Sequence, residues 1–170
     1  NLGPALAAEV LDLGGQRLQS VLGEDDRLLR LPDNEFAILL TPVLSAPDTL
    51  IVADRMAELF QRAYLVRGQV VNITASIGIA LAPESGTNSE TLLKRAGMAL
   101  QAARSSASGT VRLFEIAIED RINARHALKL DLRKALLLHQ LEVHYQPQLD
   151  IAGRYLTGFE ALLRWPHPEL

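Results

Sequence analysis

The chain has no cysteine, no extended run of basic residues and no long apolar stretch. Without cysteine it forms neither disulfides nor thiolate metal sites, which is typical of a reducing compartment. Lys and Arg are scattered and the net charge is −3, so a nucleic-acid polymer is not expected as a partner. No apolar run approaches the roughly 20 residues that cross a bilayer, and a signal-peptide start is missing. We therefore expect a soluble, cytoplasmic segment, whatever membrane anchor or sensor domain the parent protein carries.

The 170 residues are 48% apolar, enough for one globular domain or for one domain plus part of another. Apolar residues at helical spacing predict helices over residues 6–22 and 47–64, and a third helix that follows a capping box of Thr87 and Glu90 and ends at Ser105. Strict alternation over residues 70–81 predicts one strand with a core face. Residues 111–114 are then expected to form a last strand of the same sheet.

The composition changes after this point. Residues 115–139 are charged and rich in leucine without Gly or Pro, which predicts a connector helix roughly 37 Å long. Two strand patterns on either side of the turn "IAGR" then predict a hairpin. Because an isolated hairpin is marginally stable, we expect a second domain that starts near residue 126 and continues beyond residue 170.

The stretch "RLPDNEFAILL", residues 30–40, predicts a tight hairpin with Glu35 just past its tip. A hairpin that handles phosphates needs a turn without side chains, followed by carboxylates that hold Mg²⁺. Here Pro32 has no N–H to donate, Asp33 would repel phosphates, and Asn34 offers only a neutral amide oxygen. From the residues alone, Glu35 is either a solvated strand residue or the remainder of a metal site.

Three separated blocks resemble one family. The hairpin, the strand "ITASIGIAL" and the helix "LLKRAGMALQAARSSASG" are similar to the GGDEF domain of diguanylate cyclases, which condense two GTP into cyclic di-GMP. The family's hairpin reads Arg-x-Gly-Gly-Asp-Glu-Phe, and residues 30–36 match it without a gap. The resemblance covers about residues 1–114 and implies an α+β fold with an antiparallel sheet flanked by helices. The family's first strand, which carries a second metal-binding Asp, is not part of this sequence.

The departures from the family fall at its ligand-binding positions. The tip glycines are Pro32 and Asp33, and the metal-binding acid is Asn34, so Asn34 and Glu35 are remnants of the catalytic set. Without the glycine turn and two carboxylates, little would hold a cation-bridged transition state. The resemblance therefore implies a degenerate domain without cyclase activity.

Other positions of the resemblance are also altered. Ala8 stands where the family has its guanine-recognising Asp, so GTP is not expected to bind. In the inhibitory motif Arg-x-x-Asp, Gly23 replaces the Arg and Asp26 remains. Arg104 replaces a phosphate-contacting Lys, and Ser108 stands where a second basic residue is usual.

The end of the chain carries a second resemblance. "LRKALLLHQLEVHYQPQLDIAGRYLTGFEALLRWPHP" looks like the opening of an EAL domain, the phosphodiesterase that linearises cyclic di-GMP. The match implies that Glu160 is a ligand for Mg²⁺ or Mn²⁺ and that Gln146 and Arg164 contact the substrate. The family's other ligands lie on later strands of a (β/α)₈ barrel, which this sequence does not reach. No cofactor is expected for this segment itself.

We therefore interpret the chain as a degenerate GGDEF domain (1–114), a connector helix (115–140) and the first hairpin of an EAL domain (141–170). The GGDEF part would regulate or support a cyclic di-GMP phosphodiesterase. A homodimer is one expected assembly of the protein. The alternatives are a weak diguanylate cyclase, a non-catalytic module that binds GTP or cyclic di-GMP, and a receptor in which both domains are degenerate.

Several remaining polar residues are expected to have no role in chemistry. Asp12, Glu24 and Asp25 are predicted to be solvated charges, and Trp165 to be a packing residue. The four histidines have no metal-ligand spacing and are predicted to lie at the surface or in packing contacts, at positions 126, 139, 144 and 167.

Overall fold

The computed structural model describes residues 3–42, 45–106 and 109–167, and its contacts divide the chain into two units, residues 1–119 and 120–170. The first unit contains helices α1 (Pro4–Gln19), α2 (Ala46–Gln61) and α3 (Ser89–Ser106), and strands β1 (Arg27–Leu31), β2 (Glu35–Leu39), β3 (Tyr64–Val66), β4 (Gln69–Val71), β5 (Ile77–Ile79) and β6 (Val111–Leu113). Helix α4 (Ile116–Leu137) begins in the first unit and continues into the second, where β7 (Glu142–Leu149) and β8 (Leu156–Arg164) follow.

The strands of the first unit pair two by two. Strands β1 and β2 form the expected antiparallel hairpin. Strands β3 and β4 form a second antiparallel hairpin that was not predicted, since the helix expected over residues 47–64 ends at Gln61 and Tyr64 begins β3. Strand β6 pairs with β5, as expected for a last strand of the same sheet, but this one pair is parallel, whereas the resemblance implies an antiparallel sheet. The reason lies in the connection, because helix α3 runs between the two strands and returns the chain to the same end of the sheet.

Residues 70–81 were expected to form one strand and instead contribute to two, β4 and β5, with residues 72–76 outside either. The alternation nevertheless predicts the core face correctly, since Val71, Ile73, Ala75 and Ile77 all pack on the hydrophobic core. Alternation reports which way side chains point along an extended backbone, and it carries no information about which neighbour that backbone pairs with.

The core of the first unit lies where α1 and α2 meet the strands. Its buried members are Val10, Leu18, Met56, Phe60, Tyr64, Val66 and Val71. Helix α1 passes through Gly14 and Gly15 without a break. A Cβ atom at Gly14 would lie 2.9 Å from the ring of Phe60, so the small residue lets the two helices approach closely.

Arg17 closes the carboxyl end of α2. Its Nη1 donates to the carbonyl oxygens of Leu59 and Arg62 at 3.0 and 2.7 Å, and its Nη2 donates to that of Ala63 at 2.8 Å. These oxygens lie where a helix has no internal donors left, and a cation is favourable at this end of the helix dipole. The guanidinium also lies 3.7 Å from the centre of the Tyr64 ring. Burial raises the pKa of the Tyr64 phenol, against the opposing effect of the Arg17 charge.

The start of α3 differs from the predicted capping box. The side-chain oxygen of Asn88 accepts a hydrogen bond from the Thr91 backbone N–H at 2.8 Å. Asn is among the best N-cap residues, and the acceptor three residues before Thr91 satisfies one of the free amides of the first turn. The capping role expected of Thr87 thus belongs to Asn88.

Gly78 lets strand β5 and helix α3 come into backbone contact. A Cβ atom at Gly78 would lie 2.1 Å from the Leu100 nitrogen and 2.3 Å from the Ala96 oxygen. On the same helix Ala99 and Ala103 are completely buried. No side chain larger than hydrogen fits between the strand and the helix without moving one of them.

We expect the substitution Gly78→Ala to lower the free energy of unfolding by about 3 kcal/mol or to prevent folding, because the added methyl group meets backbone atoms that cannot rotate away. The matched control is Gly97→Ala, in the middle of α3, where an added Cβ has nothing within 4 Å. This variant should gain about 0.5–1 kcal/mol, because alanine is the better helix former. Urea unfolding measures both, and equal effects would contradict the close approach at Gly78.

The first turn of α4 is held by Glu119 in the first unit. Its two carboxylate oxygens lie 3.3 Å from the Lys94 Nζ and 3.4 Å from the Arg95 Nη2. The Arg95 guanidinium also lies 5.0 Å from the centre of the Phe114 ring. The hydrogen bond from Lys94 lowers the pKa of Glu119, with both positive charges adding to the effect.

Because the folded-state pKa of Glu119 lies below the unfolded value of about 4.3, its contribution to stability is present above that value and is lost as the pH falls through the folded pKa. The free-energy difference between the natural chain and Glu119→Gln should therefore be largest near neutral pH and vanish in acid. Urea unfolding at a series of pH values tests this, with Glu84→Gln, at an exposed loop residue, as the control. A difference that does not change with pH would contradict it.

In the second unit, β7 and β8 form an antiparallel hairpin with an irregularity at Gln148 and Leu149. The Asp150 side chain closes its turn by accepting from the backbone N–H groups of Arg154 and Tyr155 at 2.6 and 3.0 Å. These hydrogen bonds lower the pKa of Asp150, and the one donated by the Tyr155 N–H has the largest effect.

The end of β8 is followed by an aromatic pair, in keeping with the packing role predicted for Trp165. The rings of Trp165 and His167 meet edge to face with centroids 4.5 Å apart. The His167 Nε2 lies 4.0 Å from a carboxylate oxygen of Asp131 on α4.

Across the described ranges, no helix combines the length and the apolar character that spanning a membrane requires.

Candidate functional site

The tip of the β1–β2 hairpin adopts a left-handed turn. Leu31 pairs with Glu35, and Pro32, Asp33 and Asn34 connect the strands. Asp33 and Asn34 both have positive φ, 59° and 62°, and the Glu35 N–H donates to the Pro32 oxygen at 3.3 Å. Two successive left-handed residues are the signature of type I′ hairpin turns, which favour Gly, Asn and Asp. The backbone thus bends as a glycine-containing turn would, while its surface is covered by side chains.

Glu35, the first residue of β2, already has a cationic partner. Its Oε1 lies 2.9 Å from the Arg104 Nη1, near the end of α3, and 29% of the Glu35 side chain is exposed. The neighbouring Asn34 is exposed at the tip. The structure therefore brings together Asn34, Glu35 and Arg104, all singled out from the sequence. The Glu35 carboxylate is paired with the Arg104 guanidinium.

The hairpin is also attached to α1. Arg30 forms an ion pair with Asp12, so the prediction that Asp12 is merely a solvated charge is wrong. One turn earlier on the helix, Glu9 accepts a hydrogen bond from the Arg67 Nε at 2.8 Å. Nothing in the sequence could have found these pairs, because their members lie 18 and 58 residues apart and no local pattern links them.

Asp26, which the resemblance assigns to an inhibitory motif, holds the base of the hairpin. One carboxylate oxygen accepts from the Gly23 N–H and the other from the Thr41 N–H, both at 2.8 Å. Asp26 thus joins the backbone just before β1, at Gly23, to the backbone just after β2, at Thr41. Ala8, which the resemblance places where the family has a guanine-recognising Asp, is exposed on α1. Ser108 lies outside the described residues.

The residues singled out near the end of the chain share one face of the β7–β8 hairpin. Gln146 lies directly opposite Glu160, and Arg164 lies opposite Glu142. Because partners in a pair point the same way and every second residue shares a face, Gln146, Glu160 and Arg164 lie on the same side. All three are exposed.

Neither location assembles a metal site within the ranges that the structure describes. No group of three or more His, Cys, Asp or Glu side chains lies close enough to bind a cation there. At the first hairpin Glu35 is paired with Arg104, and on the second hairpin Glu160 faces an amide, Gln146. The donor set at the first location does not fit a divalent cation, which requires several oxygen ligands.

Residues 1–110 match the family model described as "Diguanylate cyclase, GGDEF domain". The chain belongs to the GGDEF family. This GGDEF domain resembles the solved GGDEF domain of YfiN (TpbB) from Pseudomonas aeruginosa, which is 35% identical with a TM-score of 0.67 over 72% of each chain. An EAL/GGDEF domain protein from M. capsulatus is 25% identical with a TM-score of 0.63, over 68% of this chain and 74% of that one.

Curated relatives align with the GGDEF domain and with the residues that follow it. The cyclic di-GMP phosphodiesterase NbdA of P. aeruginosa is 31% identical over 168 residues, 99% of this chain and 21% of that protein. The bifunctional diguanylate cyclase/cyclic di-GMP phosphodiesterase MucR of the same organism is 33% identical over 171 residues, 99% of this chain and 24% of that protein. The chain spans about a fifth of the length of the curated relatives that it matches.

We expect Asp33→Gly to raise the free energy of unfolding by about 0.5–1 kcal/mol, because a residue with a Cβ at positive φ is held in a conformation that glycine adopts freely. The control is Asp33→Ala, which removes the same charge and retains the Cβ, and it should lose about 1 kcal/mol. Thermal or urea unfolding distinguishes the two. If both variants shifted in the same direction, the charge rather than the backbone would govern this turn.

Proposed function

We propose that this GGDEF domain has no cyclase activity and serves as the regulatory or structural partner of an adjoining EAL phosphodiesterase domain. The observation that carries the first half is the ion pair between Glu35 and Arg104. Phosphoryl transfer depends on cations that neutralise charge on the phosphates. The Glu35 carboxylate is already neutralised by Arg104, and the neighbouring Asn34 is neutral. A metal cation would therefore find only one carboxylate here, and the charge of that carboxylate is already compensated.

The filled turn supports the same proposal. Phosphates bind best where backbone N–H groups are open and no side chain intervenes. At this tip Pro32 has no N–H, and Asp33 brings a negative charge. Ala8 offers a methyl group where a buried guanine edge would need an acceptor, a loss on the order of 1–3 kcal/mol. GTP is therefore not expected to be a ligand.

The second half of the proposal concerns residues 141–170, which we assign to the beginning of an EAL domain. The alignment with NbdA, named a cyclic di-GMP phosphodiesterase, runs over 168 residues and so continues past residue 110, where the GGDEF match ends. The common face of Gln146, Glu160 and Arg164 supports a shared role for them. In a complete domain, Glu160 would hold Mg²⁺ or Mn²⁺ with ligands from later strands, and cyclic di-GMP would be the substrate.

The cyclase half is tested by incubating the purified protein with GTP and Mg²⁺ and measuring cyclic di-GMP by chromatography. We expect no product above that of the Glu35→Ala variant, and no GTP binding tighter than about 10 μM by calorimetry. Product that disappears in Glu35→Ala would establish a weak cyclase. Tight GTP binding without product would instead establish a nucleotide-sensing module.

The phosphodiesterase half is tested in the full-length protein with cyclic di-GMP and Mn²⁺. We expect Glu160→Gln to reduce hydrolysis by at least a hundredfold, because it removes a charged metal ligand. Glu84→Gln, the same change at an exposed loop residue of the GGDEF domain, should leave hydrolysis unchanged. Hydrolysis that survives Glu160→Gln, or is absent from the natural protein, would contradict the proposed role.

A further inference from the structure

Glu119 connects the first turn of α4 to α3 and, through Arg95, to the end of β6. Its carboxylate oxygens lie 3.3 Å from the Lys94 Nζ and 3.4 Å from the Arg95 Nη2, both near the start of α3. The Arg95 guanidinium lies 5.0 Å from the centre of the ring of Phe114, the buried residue that follows β6. We call Glu119 with Lys94 and Arg95 the Glu119 latch. All of its residues lie within the first unit.

The contact is specific to Glu119. The side chains of Glu119 and Arg95 are only 21% and 27% exposed, so water and salt screen their attraction less than that of a fully exposed pair. Glu115 and Asp120 are acidic residues at the same helix start, and among the residues that the structure describes neither forms an ion pair. The latch is therefore not a general attraction between an acidic helix start and α3.

The latch acts where the chain leaves the sheet of the first unit. The Phe114 N–H donates to the Ile79 oxygen at 2.7 Å, and α4 begins only two residues later, at Ile116. The direction of α4 therefore depends on the backbone of these few residues and on the latch. Because a helix is stiff, a tilt of roughly 10° at the first turn displaces the far end of the 22-residue helix by roughly 6 Å. A small change at Glu119 is thus amplified along α4.

We propose that the Glu119 latch is the point through which this GGDEF domain regulates the adjoining EAL domain. When closed, the latch holds the first turn of α4 against α3 and supports hydrolysis of cyclic di-GMP. When open, it frees this turn, and the rate of hydrolysis falls. The closed state is assigned to activity because the latch is closed in the structure and the natural protein is the proposed phosphodiesterase. This regulatory role rests on the function proposed above and names the residues that carry it.

The strength of such a contact suits a switch. Exposed ion pairs shift an equilibrium by up to roughly fivefold, and charged hydrogen bonds by roughly tenfold to a hundredfold. A half-buried carboxylate with two cations lies between these limits, so the open state is accessible without global unfolding. The contact of Gly78 with Ala96 and Leu100 involves none of the latch residues. The latch can therefore open while α3 stays packed on β5.

The first measurement is the hydrolysis of cyclic di-GMP by the full-length protein with Mn²⁺. We expect Glu119→Gln to lower kcat by at least roughly threefold, and Lys94→Gln to lower it less, because Arg95 remains. The double variant should match Glu119→Gln alone, since both changes open the same latch. The control is Glu115→Gln, which removes the same charge beside the same helix start and should leave kcat unchanged.

The second measurement is the freedom of α4 itself. Spin labels on Gln101→Cys in α3 and Asn123→Cys in α4, both exposed positions, give a distribution of distances by pulsed electron resonance. The 170 residues contain no cysteine of their own, and any elsewhere in the full-length protein are replaced by serine. We expect a broader distribution in Glu119→Gln and an unchanged one in Glu115→Gln.

The outcomes separate the latch from the function on which it rests. A kcat that is unchanged or raised in Glu119→Gln, or lowered equally in Glu115→Gln, would overturn the latch and leave the phosphodiesterase intact. An unchanged distance distribution in Glu119→Gln would also overturn it, whatever the rates. Absence of hydrolysis from the natural protein would instead contradict the proposed function, and the regulatory role with it.

Discussion

The backbone contact between β5 and α3 at Gly78 is the constraint on which the first unit depends. Because only hydrogen separates Gly78 from the backbone of Ala96 and Leu100, the helix has one possible depth and little freedom to slide along the strand. The same helix carries Arg104 at one end, next to Glu35, and the two cations that hold Glu119 towards the other. A single packing contact therefore positions both the partner of the hairpin carboxylate and the attachment of the first turn of α4.

Two acidic residues that the resemblance assigns to ligand positions form bonds within the fold. Asp26 uses both oxygens to join Gly23 to Thr41, and Glu35 joins the hairpin to α3 through Arg104. A half-exposed ion pair such as Glu35–Arg104 contributes about 0–1 kcal/mol, so stability alone gives only a weak reason for Glu35.

Local patterns in the sequence predicted local structure well, and long-range partners could not be predicted. The turn at Pro32 to Asn34 and the core face of residues 71–77 follow from turn chemistry and alternation, which depend on neighbouring residues. The three carbonyl contacts of Arg17 and the ion pair of Asp12 with Arg30 join segments far apart in the chain. In the sequence, Arg17, Asp12 and Arg30 look like ordinary surface charges. The same is true of Glu119, whose partners Lys94 and Arg95 become apparent only in the structure.

The row of basic residues at positions 121, 125, 129 and 133 of α4 shows how a search for runs of charge can fail in a helix. Consecutive cations would point around the whole circumference, whereas cations four apart share one side. The chain's net charge of −3 conceals the row further, because residues 1–119 carry a net −4 and residues 120–170 a net +1. Charge at a period of four along a helix is therefore the signal to look for.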